Sequence, residues 1–148
     1  MKVNVTLNDK KVQAMLKKYP KRIKRASKTA IAYASVFVLK TIKDRTAAGR
    51  GVAGSFAPYA STRGSGRQSG RVDLFDKGLM IGAMRSKAAS PFLGIVFFNS
   101  ASESRKAMWH HTGAGHLPVR KWFDVNSREE VLVGNQFRNE FIKQMARA

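Results

Sequence analysis

The chain has 148 residues and a formal net charge of +19, from 28 lysines and arginines against 9 acidic residues. Hydrophobic residues make up 43% of the chain, which is typical of a folded domain and argues against an intrinsically disordered protein. The absence of cysteine excludes disulfides, a thiolate nucleophile and Cys-ligated zinc. Because so large a charge repels itself, it indicates an anionic partner: nucleic acid, an acidic protein surface or an anionic membrane.

The N-terminal part of the chain predicts a short strand followed by helices. Residues 2–7 alternate polar and apolar side chains, as a strand does. Asn8 or Asp9 can then cap a helix that Pro20 interrupts. Pro20 suits the first turn of a second helix, which we expect to run to about Thr46. The apolar face of this helix repeats every three or four residues and consists of Ile23, Ala26, Ala30, Ala34, Phe37, Val38 and Ile42.

The opposite faces of these helices carry cations without a single acid between residues 10 and 28. A solvated helix face normally intersperses acids, which pair with lysines one turn away. A face without them favours contact with DNA or with an acidic partner. We assign this role to Lys17, Lys18, Lys21, Arg22, Lys24, Arg25 and Lys28.

Residues 49–72 predict a long loop, because Gly, Ser and Arg dominate and no strand or helix period survives. A loop of this length in a compact domain is usually functional or disordered. Phe56 and Tyr59 either fold back over a sheet edge or anchor the loop to a neighbouring subunit. The arginines make the loop a cationic arm that could order on a partner; they are Arg50, Arg63, Arg67 and Arg71.

The C-terminal half predicts a hairpin and a closing helix. Alternation at residues 79–84 and the β-rich run at 92–98 indicate two adjacent antiparallel strands. Residues 106–113 form either a third strand or a short helix, and Arg128 begins an amphipathic helix. We therefore expect one α+β domain over residues 1–148, with the long basic N-terminal helix and the C-terminal helix packed on a small antiparallel sheet.

All three histidines fall within seven positions, which raises the possibility of a metal site. Zinc binds three histidines in some enzymes. However, His110 and His111 would point to opposite faces of a strand or lie about a quarter-turn apart on a helix. The nearest carboxylates, Glu103 and Asp124, do not complete a familiar metal motif, and the acids needed for a metal-dependent nuclease are scattered. We expect no metal, no cofactor and no catalytic residue.

The segment that contains the histidines is better explained as a turn that shapes an interface. Gly113 and Gly115 supply backbone freedom, Pro118 restricts the exit, and the aromatic residues offer large apolar contacts. Arg120 is expected at a helix end or beside a carboxylate. We assign to this interface turn Trp109, His110, His111, Gly113, His116, Pro118, Arg120, Trp122 and Phe123.

Four short motifs follow one another in a recognisable order. They are "FAPYA" at 56–60, "LFDKGLM" at 74–80, "MWHHTG" at 108–113 and "LPVRKWF" at 117–123. Their order between two helices resembles the virion-morphogenesis and tail-completion (neck) proteins of tailed bacteriophages, of the Mu and HK97 types. Phe56 stands where those families carry Trp, and Lys77 stands where Ser or Thr is common.

The resemblance implies a structural virion protein and no enzyme. Such proteins form a ring, usually of six subunits, between head-closure (connector) proteins and tail-terminator or tail-tube proteins, and the genome passes through the ring. Lysines and arginines of this DNA channel would face phosphates without reading sequence, and the long loop would reach a neighbouring subunit or ring. The N-terminus lacks the apolar segment of a signal peptide, so we expect synthesis in the host cytoplasm, assembly into the virion and no membrane partner.

Two other classes of protein fit parts of the same sequence. The charge alone also suits a cellular nucleic-acid-binding module, such as a ribosome-associated or nucleoid protein. The histidine cluster alone would also suit a metal-dependent nuclease or toxin.

Overall fold

The computed structural model describes residues 1–6, 10, 14, 17, 20–58, 74 and 78–147. It has a long N-terminal helix, a C-terminal helix and a small antiparallel sheet, so the α+β prediction is confirmed. The predicted cap at Asn8 or Asp9 lies outside the described residues. The elements are β1 (Lys2–Thr6), α1 (Pro20–Ala47), β2 (Arg50–Gly51), β3 (Gly54–Ser55), α2 (Leu79–Gly82), β4 (Met84–Ser90), β5 (Leu93–Phe98), α3 (Ala101–Thr112) and α4 (Ser127–Ala146).

The chain divides into two compact units, which are described separately. The sheet unit comprises Lys2–Leu39, Arg85–Phe97 and Asn126–Ala148, and the turn unit comprises Met1, Lys40–Met84 and Phe98–Val125. The expectation of one domain over residues 1–148 stays a prediction. Among the helices in the described ranges, none is both long and apolar enough to cross a membrane.

The sheet unit is built on an antiparallel sheet with the strand order β1-β5-β4. Lys2 stands opposite Phe97 and Thr6 opposite Leu93. Helix α1 approaches β5 closely, because a Cβ atom at Gly94 would collide with the Ser35 hydroxyl. Only glycine fits there. The face of α1 that carries Ile31 and Ser35 is therefore a close packing surface against β5.

Burial along α1 confirms the predicted apolar face over most of its length. Ala30, Ala34 and Ile42 are fully buried, and Phe37 is half-buried at the margin. The predicted helix end at about Thr46 lies one residue from the observed end at Ala47. The 3.6-residue period was a reliable signal here because one face of a 28-residue helix is buried.

Helix α4 begins at a capping box. The Asn126 side chain accepts a hydrogen bond from the Glu129 amide, and the Glu129 carboxylate accepts one from the Asn126 amide, both at 2.9 Å. The helix thus starts at Ser127, one residue before the predicted Arg128. Of its apolar residues, Val133 and Phe137 are buried, and three others are exposed: Val131, Leu132 and Ile142.

In the turn unit, the predicted strand at 79–84 is wrong. Leu79–Gly82 is a single helical turn, α2, and the strand β4 begins only at Met84. Met80 and Ala83 are buried three positions apart while Leu79 is 61% exposed, which is a helical rather than an alternating pattern. The hairpin itself is confirmed as β4 and β5, and the helical alternative for 106–113 is confirmed as α3, against which α2 packs.

Candidate functional site

The turn after α3 is set by Gly113. This residue is in the left-handed conformation (φ 74°), and its amide donates to the Trp109 carbonyl at 2.9 Å. A Cβ atom here would lie 2.7 Å from Cγ2 of Val119, so space and backbone conformation both require glycine. The Arg120 amide then donates to the His110 carbonyl at 2.9 Å. The predicted turn is present, and residues 120–123 return alongside α3.

An aromatic cluster holds the returning chain. Trp122 is fully buried and donates from Nε1 to the Ala107 carbonyl at 3.3 Å. Its ring meets Phe98 edge-on at 6.1 Å and Phe123 at 5.5 Å between centroids. Phe123 is 3% exposed. The sequence assigns both residues to an interface; within the turn unit they are interior residues, because both rings pack against Phe98.

Arg120 is also an interior residue, with 2% of its surface exposed. Its Nε donates to the Ala57 carbonyl at 3.2 Å and its Nη2 to the Pro58 carbonyl at 3.1 Å. From the last turns of α1, Nη2 of Arg45 donates to the carbonyls of Trp122 and Asp124, both at 2.7 Å. Arg120 therefore ties the turn to the start of the long loop, a role that its sequence motif does not indicate.

The sequence predicts an irregular loop over residues 49–72, but the first residues of this loop form a small hairpin. Arg50–Gly51 and Gly54–Ser55 pair as antiparallel strands β2 and β3, and the Val52 amide donates to the Lys121 carbonyl at 2.9 Å. Phe56 is half-buried, and a Cβ atom added at Gly51 would lie 3.0 Å from the edge of its ring. It folds back on this small hairpin, whereas Arg50 is exposed. The other assigned loop residues lie outside the described residues: Tyr59, Arg63, Arg67 and Arg71.

The three histidines occupy different environments. His110 and His111 are partly buried in the last turn of α3, whereas His116 is exposed beyond it. Nδ1 of His111 accepts a hydrogen bond from the Phe123 amide at 3.4 Å. Within the part of the chain that the structure describes, no group of three His, Asp or Glu residues could hold a metal ion.

Burial lowers the pKa of both partly buried histidines below the usual 6.5. For His110, the nearby Arg120 charge lowers the pKa further. For His111, the Asp124 carboxylate opposes the effect of burial and Lys121 adds to it. For His111, the lowered pKa favours the neutral imidazole, the form in which Nδ1 can accept the hydrogen bond from the Phe123 amide.

These shifts predict a loss of stability on mild acidification. Because both folded pKa values lie below 6.5, the unfolded chain takes up protons first as the pH falls through about 6.5, and proton uptake favours unfolding. We expect the free energy of unfolding, measured with urea, to decrease between about pH 7.5 and 5. The double variant His110→Gln/His111→Asn should lose most of this slope, and the exposed His116→Gln is the control. Equal slopes in all three chains would contradict the prediction.

The assigned cationic face is exposed wherever the structure describes it. Lys17 is helical and exposed, as are the cations of the first turns of α1: Lys21, Arg22, Lys24, Arg25 and Lys28. Lys18 lies outside the described residues. Lys21, Arg22, Lys24 and Arg25 border an open groove of about 1000 Å³ whose other side is the end of α4. We call this the cationic groove; its lining is Lys21, Arg22, Lys24, Arg25, Ala26, Gln144 and Arg147.

The sequence does not predict that Arg147 belongs to this groove. Its only local signal is a position at the C-terminal end of a helix, where cations are common because of the helix dipole. That it shares a groove with residues of α1, more than a hundred positions earlier in the chain, depends on how the two helices pack.

Comparison of the chain with protein-family models, with curated proteins and with solved structures gives no match.

Proposed function

We propose that the chain is a structural virion protein of a tailed bacteriophage. It forms a ring, of six subunits as in the neck families it resembles, that joins head-closure or connector proteins to tail-terminator or tail-tube proteins around the DNA channel. The observation that carries the proposal is the cationic face of α1, which is exposed and contains no acid over residues 20–39. Such a face suits DNA phosphates or an acidic neighbouring ring.

The contacts among the four motifs support the same proposal. All four belong to the turn unit. Arg120 of the last motif donates to carbonyls of the first, at Ala57 and Pro58, and its amide donates to His110 of the third. Leu74 and Met80 of the second motif are buried. Motifs scattered over about seventy residues thus belong to one packed unit, as expected if they form the framework that the resemblance implies.

In this proposal the protein performs no reaction and binds no cofactor. Its partners are further copies of itself, the adjoining head and tail proteins and, without sequence specificity, the packaged DNA. Its location is the virion neck or tail end after synthesis in the host cytoplasm.

Deleting residues 61–70 tests the proposal in the phage that encodes the chain. We expect the purified variant to keep the circular dichroism spectrum of the original chain, while lysates accumulate separate heads and tails in electron micrographs. The control replaces the same residues with a Gly-Ser segment of equal length, which separates the effect of loop length from that of its arginines. Normal infectious particles from the deletion, or purified virions without the chain by mass spectrometry, would count against the proposal.

The second candidate is a cellular nucleic-acid-binding module, favoured by the cationic groove. The mass of the purified protein in solution, alone and with a short duplex across a salt series, separates the two. A neck protein should bind free DNA weakly and non-specifically, with a dissociation constant of about 10⁻⁴–10⁻⁶ M at physiological salt. Tight, stoichiometric binding by a monomer or dimer would favour the cellular module.

A further inference from the structure

We infer that the cationic groove binds the phosphate backbone of duplex DNA, and that Arg147 of α4 takes part together with Lys21, Lys24 and Arg25 of α1. This deepens the proposed function, on which it rests, because it names the surface that faces DNA. The lining residues all belong to the sheet unit.

The charge of the groove calls for an anionic occupant. Of the seven described residues that line it, five are cations and none is acidic. Lys21 lies three and four positions from Lys24 and Arg25, where like charges on one helix face repel and destabilise the helix. A concave surface with charges of one sign also concentrates the field. A bound polyanion would relieve this repulsion.

The chemistry of the lining favours phosphate over an acidic peptide. Arginine forks match phosphate and carboxylate oxygens alike in two-point contacts, so the distinction rests on the rest of the lining; Arg25 and Arg147 are both exposed at the groove. Among the described lining residues, Ala26 alone is apolar, and it is buried, so these residues offer no pocket for a peptide's apolar anchor. None of the described lining residues is aromatic, so these residues offer no platform for the base stacking by which proteins hold single strands. The mode of binding that these residues favour is contact with the phosphate backbone of a duplex, without recognition of the bases.

Two contacts hold the groove in shape before any ligand arrives. Nη2 of Arg22 donates to the Met145 carbonyl at 2.6 Å and so joins α1 to the last turn of α4. Gln144 donates to the buried Glu140 carboxylate at 2.5 Å, which fixes its position on α4. Arg22 is therefore a structural residue as well as a cation, and a test of binding should leave it unchanged.

The test measures binding of a 20-base-pair duplex, by fluorescence anisotropy, against salt concentration. Each phosphate contact contributes about −0.9 to the slope of log K against log salt for duplex DNA. The groove variant should therefore have a slope shallower by about 3 to 4 than the original chain. This variant is Lys21→Gln, Lys24→Gln, Arg25→Gln and Arg147→Gln.

A matched control removes the same number of positive charges from exposed positions outside the groove. We expect its slope to change by less than about 1. The groove variant should also unfold at the same temperature or higher at low salt, because like-charge repulsion is removed; the single variant Arg147→Gln serves if the fourfold variant does not fold. The control substitutions are Arg105→Gln, Lys121→Gln, Arg128→Gln and Arg138→Gln, all at exposed positions.

Three results would overturn the inference. The groove variant could keep the original slope, the control could lose as much slope as the groove variant, or the original chain could bind polyglutamate through these residues while not binding the duplex. In each case the chain's presence in purified virions would still support the proposed function. Absence from virions, with the groove effect intact, would overturn the proposed function alone.

Discussion

Replacing Trp122 with alanine is expected to lower the free energy of unfolding by about 3–5 kcal/mol, as large-to-small changes at aromatic core positions do. The side chain is fully buried, meets Phe98 and Phe123 edge-on, and donates to the Ala107 carbonyl. The variant therefore leaves a cavity and removes the indole N–H that donates to the Ala107 carbonyl of α3. The change should appear as a lower midpoint in urea unfolding followed by circular dichroism.

Trp109 supplies a matched control, since the chain contains just two tryptophans. It is 44% exposed on α3, and alanine has the higher helix propensity. Trp109→Ala should therefore change the free energy of unfolding by about 1 kcal/mol or less. Equal losses for the two substitutions would contradict the interior position assigned to Trp122 and with it the aromatic cluster.

Replacing Arg120 with methionine is expected to cost about 3 kcal/mol, chiefly by releasing the start of the long loop from the turn. Methionine keeps the apolar stem but leaves the carbonyls of Ala57 and Pro58 without their charged donors, and each such hydrogen bond is worth about 1.5–3 kcal/mol. The loss is offset in part because folding of the variant no longer buries a charge. Amide hydrogen exchange in residues 50–58 should become faster by a factor on the order of 100. Unchanged hydrogen exchange in residues 50–58 would contradict the proposal that Arg120 holds the start of the loop against the turn.

Lys121→Met is the control for charge, because it removes one cation at the next position, whose side chain is exposed. It should leave the stability and the exchange of residues 50–58 nearly unchanged, since the loop is bonded to the Lys121 carbonyl and not to its side chain.

NMR titration of the histidines gives a second readout for the same two variants. Burial is the main cause of both lowered histidine pKa values, but Arg120→Met should raise the pKa of His110, and Lys121→Met that of His111.

The regular elements were largely predictable because their signals are local. Helix α1 shows one apolar face over many turns, and the start of α4 has a capping residue followed three positions later by Glu129. The short segment at 79–82 was mistaken for a strand because a run of four residues satisfies both the two-residue and the 3.6-residue period. The hairpin at 50–55 carries too few residues to show any period.

The candidate sites were predictable only as residue types. The sequence marks the exposed cations of α1 and the glycines of the turn, since charge density and backbone freedom are properties of single positions. It does not separate Trp109 from Trp122, because a tryptophan is equally apolar in either place and burial depends on what packs above it.

The sequence by itself thus determined the net charge of +19, the acid-free cationic face and the helices that carry it. Only the tertiary structure decided that Arg120 reaches the carbonyls of Ala57 and Pro58, and that Arg147 borders the same groove as Lys21. The physical reason is that helix periods and caps act within a few residues. Contacts between positions sixty or more apart instead arise from the packing of whole elements, which leaves no local pattern in the chain.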